Sequence, residues 1–250
     1  MNSFQIIRVM ATTIFAFIVV NISAQNKNNY EIGINGGTLI YLGDLTNSAF
    51  GTYKGAKPAI GVFVNKDIDP YFSWRVNLMY GKIGVDESQF TTPFWKQLRN
   101  FKFSTSITEL SSVIVWNFLG DNGAKEYSRF SPYVFGGLGI SLLHVTRDWH
   151  NINRGAFDNK STAIIGLGVD TLHRTPTLLP VIPVGIGFKY ALNNQLSVRA
   201  EATYRIGFSD YIDGFSQSTN PSTNDKYYGL SLGVSYRLLA NNYRCPTIRR

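Results

Sequence analysis

The three histidines of the chain are the first residues to consider for chemistry. His144, His150 and His173 lie in or beside one long connecting segment, together with Asp148 and Asp158. Nucleophilic catalysis needs a histidine next to a hydroxyl or thiol nucleophile and a carboxylate that orients the histidine. No motif fixes that geometry, and the spacing lacks the i, i+4 pattern of helical metal ligands. We therefore predict that the protein is not an enzyme, with no catalytic and no metal-binding residues.

Other chemistry-bearing patterns are equally sparse. Cys245 is the single cysteine, so an internal disulfide framework is excluded. The chain has no glycine-rich phosphate loop or nucleotide fingerprint, and we expect no cofactor. Its formal net charge is +8, but the basic residues are dispersed except in the C-terminal segment. This distribution does not favour a nucleic-acid partner.

The stretch "SVRAEATYRIGF" at 197–208 shows which elements must position the charged residues. Its even-numbered residues are apolar, whereas Arg199, Glu201, Thr203 and Arg205 occupy odd positions. A helix would scatter both sets around its surface, because successive residues turn by about 100°. A strand separates them onto two faces. This stretch is therefore predicted to be a strand with one apolar and one charged face.

The same alternation recurs along the chain, most regularly at 56–66, 71–81, 181–191 and 227–239. Three less regular segments complete a count of about eight strands. These segments are 29–42, 106–120 and 131–145. Short connections alternate with long ones near 43–55, 84–104, 146–177 and 209–226. Bacterial membrane barrels show that asymmetry, with short periplasmic turns and long outer loops.

The N-terminus resembles a secretory signal. Arg8 precedes the apolar run "VMATTIFAFIVV", and small residues lead to a cleavage position after Ala24. The run is short for a membrane span, so we assign residues 1–24 to a signal peptide, with a retained anchor helix as the alternative. No later stretch has the roughly 18 consecutive apolar residues of a spanning helix.

Strand length and composition distinguish a membrane barrel from a soluble sandwich. Each predicted strand has roughly ten residues or more, longer than the five or six typical of soluble sheets. Aromatic residues lie towards the ends of the apolar faces, as in an interfacial girdle. They are Tyr71, Trp74, Tyr80, Trp116, Tyr190, Tyr204, Tyr228 and Tyr236. We predict an all-β fold: an eight-stranded antiparallel transmembrane β-barrel over residues 25–239, in the cell outer membrane, followed by a periplasmic tail at 240–250.

The opposite faces of the strands should then line the barrel interior. Eight strands leave an interior that side chains can fill, so we expect a closed lumen. We expect a network of paired charges there, because an unpaired buried charge is costly. Its members are Arg75, Glu109, Lys189, Arg199, Glu201, Arg205 and Arg237. The alternative is a set of solvated charges around trapped water.

Several stretches resemble one family of small barrels. They are "EIGINGGTLIYLGDLTNSAF", "KPAIGVFV" and "LSVRAEATYR", with "YLGDL" followed by "KPAIGV" the most distinctive. Together they resemble the PorG-like outer-membrane β-barrels of the type IX secretion system, over essentially the whole mature chain. The final strand is also similar to the signal read by the outer-membrane insertion machinery, at Ser231, Gly233, Tyr236 and Leu238. That signal is usually terminal, and here the chain continues beyond it to Arg250.

This resemblance implies a structural component of protein transport. The barrel would anchor the periplasmic ring of the lipoprotein PorK and its partner PorN. Independently of the resemblance, a membrane barrel should contact outer-membrane lipid, and its outer loops could bind lipopolysaccharide. The turns and tail supply candidate contacts: Asp67, Asp69, Asn193, Asn194, Arg244 and Arg249. For "YLGDL" at 41–45 we expect only a turn.

An alternative function uses the outer loops. The segment "TTPFWKQLRNFKF" interleaves apolar and basic residues, which would suit an adhesin or a membrane-stabilising barrel. Phe94, Trp95 and Phe101 could equally pack this loop onto the barrel mouth.

Overall fold

The computed structural model describes residues 30–43, 45–46, 51, 53–120, 129–158, 161–209, 211–219 and 225–238. The signal segment and the tail beyond 238 lie outside the described residues. The sheet has eight strands: β1 Tyr30–Leu42, β2 Lys57–Asp67, β3 Phe72–Asp86, β4 Lys102–Asn117, β5 Phe130–Asp148, β6 Leu178–Ala191, β7 Leu196–Gly207 and β8 Lys226–Leu238. Two helices lie in the connections, α1 Phe94–Arg99 and α2 Thr162–Leu172. No helix among the described residues is both long and apolar enough to cross a membrane.

The eight strands form a closed barrel in which each strand pairs with its sequence neighbours. The barrel closes where β1 pairs with β8, antiparallel, from Tyr30↔Leu238 to Leu42↔Lys226. Closure leaves no strand edge unpaired. The prediction of an eight-stranded antiparallel β-barrel is therefore confirmed.

The register places residues of the same parity opposite each other at every strand pair, as at Glu31↔Asn65 and Arg75↔Val113. Even-numbered residues consequently face outward and odd-numbered residues face the lumen through most of the barrel. The β5–β6 ladder has one break, between Gly136↔Val184 and Gly139↔Val181. Pro183 lies in this break and has no N–H to donate.

The outward face carries a continuous apolar belt. On β3, β4 and β5 it runs from the row Phe72–Trp116–Val134 to the row Tyr80–Thr108–Leu142, eight residues or about 26 Å along the strand. Its exposed apolar residues include Ile34, Ile60, Val62, Leu78, Leu110, Leu138, Ile140, Ile186, Leu230 and Leu232. At a strand tilt of about 40° this length corresponds to roughly 20 Å along the membrane normal, close to the roughly 25 Å lipid-facing band of membrane barrels.

Aromatic side chains cluster at one border of the belt. Phe72 stacks on Trp116, Trp116 packs edge-on to Phe118, and Phe130 stacks on Phe188. This border lies next to the short connections at 68–71, 118–129 and 192–195, and we call this end the turn side. The opposite end, with the long connections, is the loop side.

Three strands are longer than their sequence pattern indicates. Strand β3 continues to Asp86, β4 begins at Lys102 and β5 continues to Asp148, so the expected loops at 84–104 and 146–177 were too long. The sequence boundary was wrong because it followed the apolar alternation. Beyond the belt the outward residues become polar, and the alternation is lost although the strand pairing continues.

The belt generates a prediction about stability in a bilayer. Leu138 is 69% exposed in the middle row of the belt, opposite Ser112. Leu138→Arg should lower the free energy of unfolding by about 2–4 kcal/mol, the cost of an arginine at the bilayer midplane. Urea unfolding of the barrel in phospholipid vesicles measures this change. Ser106→Arg, outward but beyond the belt, is the matched control, and equal losses in both variants would contradict a lipid-facing belt.

Candidate functional site

The interior from the turn side to the middle of the barrel is charged. Four ion pairs join residues on different strands, and every member has a side chain at most 10% exposed. The pairs are Arg75–Glu201 at 2.6 Å, Arg199–Glu31 at 2.6 Å, Arg205–Glu109 at 2.7 Å and Arg237–Asp67 at 3.7 Å. Lys189 is also buried, at 6% exposure. The structure thus places all seven predicted lumen residues in the interior.

Two acids of these pairs were not among the predicted lumen residues. Glu31 is 2% exposed and pairs with Arg199. Asp67 was expected on a turn surface, but it is 7% exposed and lies at the end of β2 with its side chain in the lumen. The alternation of inward and outward residues could have predicted both positions, because Glu31 and Asp67 are odd-numbered like the other inward residues of their strands.

Arg75 lies at the centre of this charged region. Its guanidinium packs over the rings of Phe63, Tyr133 and Phe135, at 4.8, 5.4 and 5.7 Å from the ring centroids. The Tyr133 hydroxyl donates a 2.5 Å hydrogen bond to Glu201 Oε1, the same oxygen that accepts from Arg75. Arg75 Nε and Nη2 have no hydrogen-bond partner within the described part of the chain. Arg75 also lines a small cavity of about 50 Å³.

The Arg205–Glu109 pair forms the loop-side boundary of the charged region, and Tyr227 adds to it. Arg205 Nε donates to Glu109 Oε2 at 2.7 Å, and the Tyr227 hydroxyl donates to the same oxygen at 3.2 Å. The Arg205 guanidinium lies over the Tyr227 ring at 5.5 Å. The buried side chains of Arg205, Glu109 and Tyr227 therefore satisfy one another's hydrogen bonds.

The loop-side half of the lumen is filled by an apolar plug. Its core residues are Leu39, Tyr41, Leu45, Met79, Ile83, Val85, Phe90, Phe101, Phe103, Ile107, Leu143, Leu167, Leu179, Val181, Ile212, Phe215 and Tyr227. Ile212 and Phe215 come from the connection between β7 and β8, and Phe215 stacks on Phe101 at 4.5 Å. We call residues 211–219 the plug segment. It closes the barrel mouth.

A buried carboxylate on helix α2 holds the plug segment. Asp170 is fully buried and accepts backbone N–H bonds from Ser216, Gln217 and Ser218 at 3.2, 3.0 and 2.9 Å. It also accepts from the Ser218 hydroxyl at 2.6 Å. Gly166, one turn earlier, lies so close to the plug segment that a Cβ would be 2.1 Å from the Gln217 carbonyl oxygen. Helix α2 and the plug segment therefore form one packed unit.

Strand residues hold the other side of the plug segment. The Tyr41 hydroxyl lies 2.6 Å from Asp213 Oδ2 and 2.5 Å from Asp225 Oδ1, so its one hydrogen can be donated to either carboxylate. Thr105 donates to the Ile212 carbonyl at 2.6 Å, and Arg147 donates to the Gly214 carbonyl at 2.7 Å. The "YLGDL" stretch, expected only to turn, thus supplies Tyr41 and the buried Leu45 to the plug.

The three aromatic loop residues considered for surface binding, Phe94, Trp95 and Phe101, lie in two different environments. Phe101 is fully buried in the plug, whereas Phe94 and Trp95 on α1 are 65% and 46% exposed. The Arg99 guanidinium lies 4.9 Å from the Trp95 ring. Arg99 also pairs with the buried Glu87. Only the first turn of α1 therefore presents aromatic surface.

The predicted turn contacts are partly used within the turns. Asp69 accepts from the N–H groups of Tyr71 and Phe72 at 2.7 and 2.8 Å. Asn193 accepts from the N–H groups of Gln195 and Leu196 at 2.8 and 2.7 Å. Asn194 is exposed on the same turn. Arg244 and Arg249 lie outside the described residues, as does Cys245.

The histidines do not converge. His144 is exposed on the outward face of β5, His150 Nδ1 lies 2.8 Å from the Asp148 carboxylate, and His173 stacks on Tyr211 at 4.0 Å. Asp158 is exposed. Among the described residues, no group of three or more His, Cys, Asp or Glu side chains could hold a metal ion.

The four residues of the expected assembly signal lie on β8. Tyr236 and Leu238 are exposed on the outward face, and Ser231 and Gly233 occupy inward positions. Their role stays a prediction.

Comparisons with known proteins show which family the sequence matches and which solved structures it is similar to. A family described as a domain of unknown function, DUF6089, matches residues 8–237. No curated protein matches the chain. Among solved structures, the chain is similar to Ail of Yersinia pestis in complex with a heparin analogue, with 11% identity over 84% of this chain and 97% of that chain at a TM-score of 0.44. It is also similar to Neisserial surface protein A, with 12% identity over 86% and 100% at 0.44, and to a major outer membrane protein from Thermus thermophilus, with 14% identity over 84% and 99% at 0.45.

The lumen pairs predict a large asymmetry between single and double replacements. Glu201→Ala should lower the free energy of unfolding by about 3–5 kcal/mol, because Arg75 would be left buried without its partner. Replacing both residues together, Arg75→Met with Glu201→Leu, should recover most of that loss. Asp86→Asn, at a partly exposed pair with Lys102, is the control and should cost less than about 1 kcal/mol. Urea unfolding in vesicles measures all three, and a loss from Glu201→Ala no larger than that from Asp86→Asn would rule out a dry lumen network.

The plug predicts local rather than global effects. Asp170→Asn replaces one acceptor oxygen by a donor that faces backbone N–H groups. Hydrogen exchange at Ser216, Gln217 and Ser218 should accelerate about tenfold or more while the strand amides keep their protection. Hydrogen-exchange mass spectrometry of the folded barrel measures both regions. Asp158→Asn, an exposed aspartate in the same connection, is the control, and unchanged exchange in Asp170→Asn would show that another contact holds the plug segment.

Proposed function

The chain belongs to the DUF6089 family, and from its geometry we propose that it is a non-enzymatic structural barrel of the outer membrane that anchors a periplasmic assembly. The observation that carries this proposal is the filled lumen. The turn-side interior is occupied by paired charges, and the loop-side interior is occupied by the plug. A barrel filled in this way offers a rigid, membrane-fixed surface rather than a conduit.

The exterior supports the membrane part of the proposal. The apolar belt exposes large aliphatic side chains to a degree that soluble proteins rarely tolerate in one continuous patch. Aromatic pairs line its turn-side border, where membrane barrels have an interfacial girdle. Burial of the belt in lipid removes this apolar area from water.

For the assembly itself, we propose the periplasmic ring of the lipoprotein PorK with PorN, as the resemblance to type IX barrels implies. Rigid turns support this role, because Asp69 and Asn193 fix the backbones of the two tight turns on the turn side. Asp69, Asn193 and Asn194 are all exposed on these turns and are contact candidates. The tail residues Arg244 and Arg249, which lie outside the described residues, are the other candidates.

Affinity purification tests the anchor function directly. A tag inserted at the exposed Gly155, on the loop side, leaves the turns and tail unaltered. After solubilisation of outer membranes in mild detergent, PorK and PorN should co-purify stoichiometrically with the barrel. Arg244→Glu with Arg249→Glu should reduce their recovery several-fold. The matched control is the same charge reversal at two exposed loop-side arginines, Arg154→Glu with Arg174→Glu, which should leave recovery unchanged.

The opposite result would exclude the anchor function. If the barrel emerges alone under conditions that keep the PorK–PorN ring assembled, the anchor proposal is wrong.

The second candidate function is binding of a surface partner or stabilisation of the membrane, and exposed apolar side chains on the loop side support it. Phe94 and Trp95 on α1 and Ile165 and Leu172 on α2 are 46% to 88% exposed. They suit a surface-binding or membrane-stabilising barrel. Phe94→Ser with Trp95→Ser should abolish surface binding under that function and spare protein secretion under the anchor function.

A further inference from the structure

The extensions of β3, β4 and β5 form an outward polar surface directly above the belt. Past the last belt row, Tyr80–Thr108–Leu142, the register continues for three more rows. These rows are Lys82–Ser106–His144, Gly84–Ser104–Thr146 and Asp86–Lys102–Asp148. Each row adds about 6.6 Å along the strand, or roughly 5 Å along the membrane normal at a 40° tilt. The first polar row therefore lies roughly 5 Å above the last belt row, at the depth of the lipid headgroups, and the next two rows lie roughly 10–15 Å above the belt.

A crevice of about 280 Å³ opens in this surface. Gly84 lies in its wall. A Cβ at Gly84 would be 2.7 Å from the Phe103 carbonyl oxygen and 3.7 Å from Lys57 Cε, so the glycine makes room and Lys57 reaches across it from the start of β2. The other polar side chains of the crevice are Asp86, Gln89, Lys102, Ser104, Thr146, Arg147 and Asp148. Six of its residues occupy even-numbered, outward strand positions, so the crevice opens on the outer face of the barrel wall.

The crevice combines two kinds of polar group. Lys57 and Lys102 provide ammonium groups, and Asp86 and Asp148 provide carboxylates on either side of Lys102. The Lys102–Asp86 pair is 3.1 Å apart, with side chains 35% and 28% exposed, so a ligand can reach both groups. Ammonium groups bind phosphates, and carboxylates accept hydrogen bonds from sugar hydroxyls.

Both carboxylates are ionised at neutral pH. Partial burial raises the pKa of Asp86, but hydrogen bonds from Ser88 and Lys102 outweigh it and hold that pKa below its usual value. A backbone hydrogen bond from His150, reinforced by the His150 side chain, lowers the pKa of Asp148. The crevice therefore presents fixed charges of both signs.

We propose that this crevice binds the phosphorylated saccharide headgroup of an outer-leaflet glycolipid. The phosphate lies between Lys57 and Lys102, and the sugar hydroxyls donate to Asp86 and Asp148. The acyl chains run down the belt below, over the apolar outward residues Tyr80, Leu110, Ile140 and Leu142. This inference rests on the outer-membrane location proposed above, and it names the lipid that the barrel holds there.

The test uses the full mature barrel reconstituted into lipid nanodiscs. The nanodiscs contain a bisphosphorylated disaccharide glycolipid, its dephosphorylated form, or phosphatidylglycerol as a simple anionic lipid. Native mass spectrometry of the released barrel counts bound lipid, and titration gives the apparent dissociation constant. The crevice variant is Lys57→Ala with Lys102→Ala. The control is Lys66→Ala with Lys226→Ala, which removes the same charge from outward-facing lysines outside the crevice.

We expect the wild-type barrel and the control to prefer the bisphosphorylated glycolipid about tenfold or more over both other lipids. The crevice variant should lose at least that factor, since each surface lysine contributes roughly fivefold to anionic-lipid binding. Ser104→Phe, which fills the crevice without a change of charge, should produce the same loss.

Three outcomes would overturn the site. Equal weakening in the crevice and control variants would mean diffuse electrostatic attraction. Equal binding of phosphatidylglycerol would mean that the saccharide is not recognised. Displacement of the glycolipid by millimolar inorganic phosphate would mean a free-anion site. Failure of the barrel to insert into nanodiscs would instead refute the membrane location itself, and insertion is therefore verified first.

Discussion

Closure of the sheet between β1 and β8 is the constraint on which the rest of the structure depends. Thirteen residue pairs join the first strand to the last, and with them every strand has two neighbours. In hydrocarbon an unpaired backbone group costs several kcal/mol, so an open edge would be untenable within the belt. The shared parity at all strand pairs follows from the same closure. A shift of one residue at any strand pair would turn that strand's charges towards lipid.

Closure also fixes what the interior must contain. An eight-stranded barrel is too narrow to leave its inward side chains in bulk water, so the arginines on β3, β7 and β8 need partners across the lumen. Glu31, Asp67, Glu109 and Glu201 supply them. The Phe63 ring packs against both Arg75 and Arg199 without competing for their hydrogen bonds. In the loop-side half the interior contains an apolar core, like that of a soluble domain, in place of paired charges. This is possible because the long connections fold back into the barrel mouth.

The sequence predicted the barrel because alternation is a local property. The alternation within each strand identifies its two faces, and each of the eight predicted segments overlaps one strand of the barrel. Outward residues such as Ile60 and Leu230 and inward residues such as Arg199 were assigned to the correct sides. The strand extensions were missed because the outward residues there, such as Lys82 and Ser104, are polar and leave no apolar period. The plug was missed for a different reason. Tyr41, Asp170 and Asp213 are distant in sequence, and only the folded connections bring them together.

The position of the plug segment in the chain links its packing in the mouth to closure of the barrel. Its anchors, Tyr41, Thr105, Arg147 and Asp170, all belong to earlier parts of the chain. The segment itself connects β7 to β8, so both of its ends are tied to the strands that complete the barrel. In a chain whose β1–β8 seam is unpaired, one of these ends has no fixed position, and holding the segment on its anchors then costs more chain entropy than in the closed barrel.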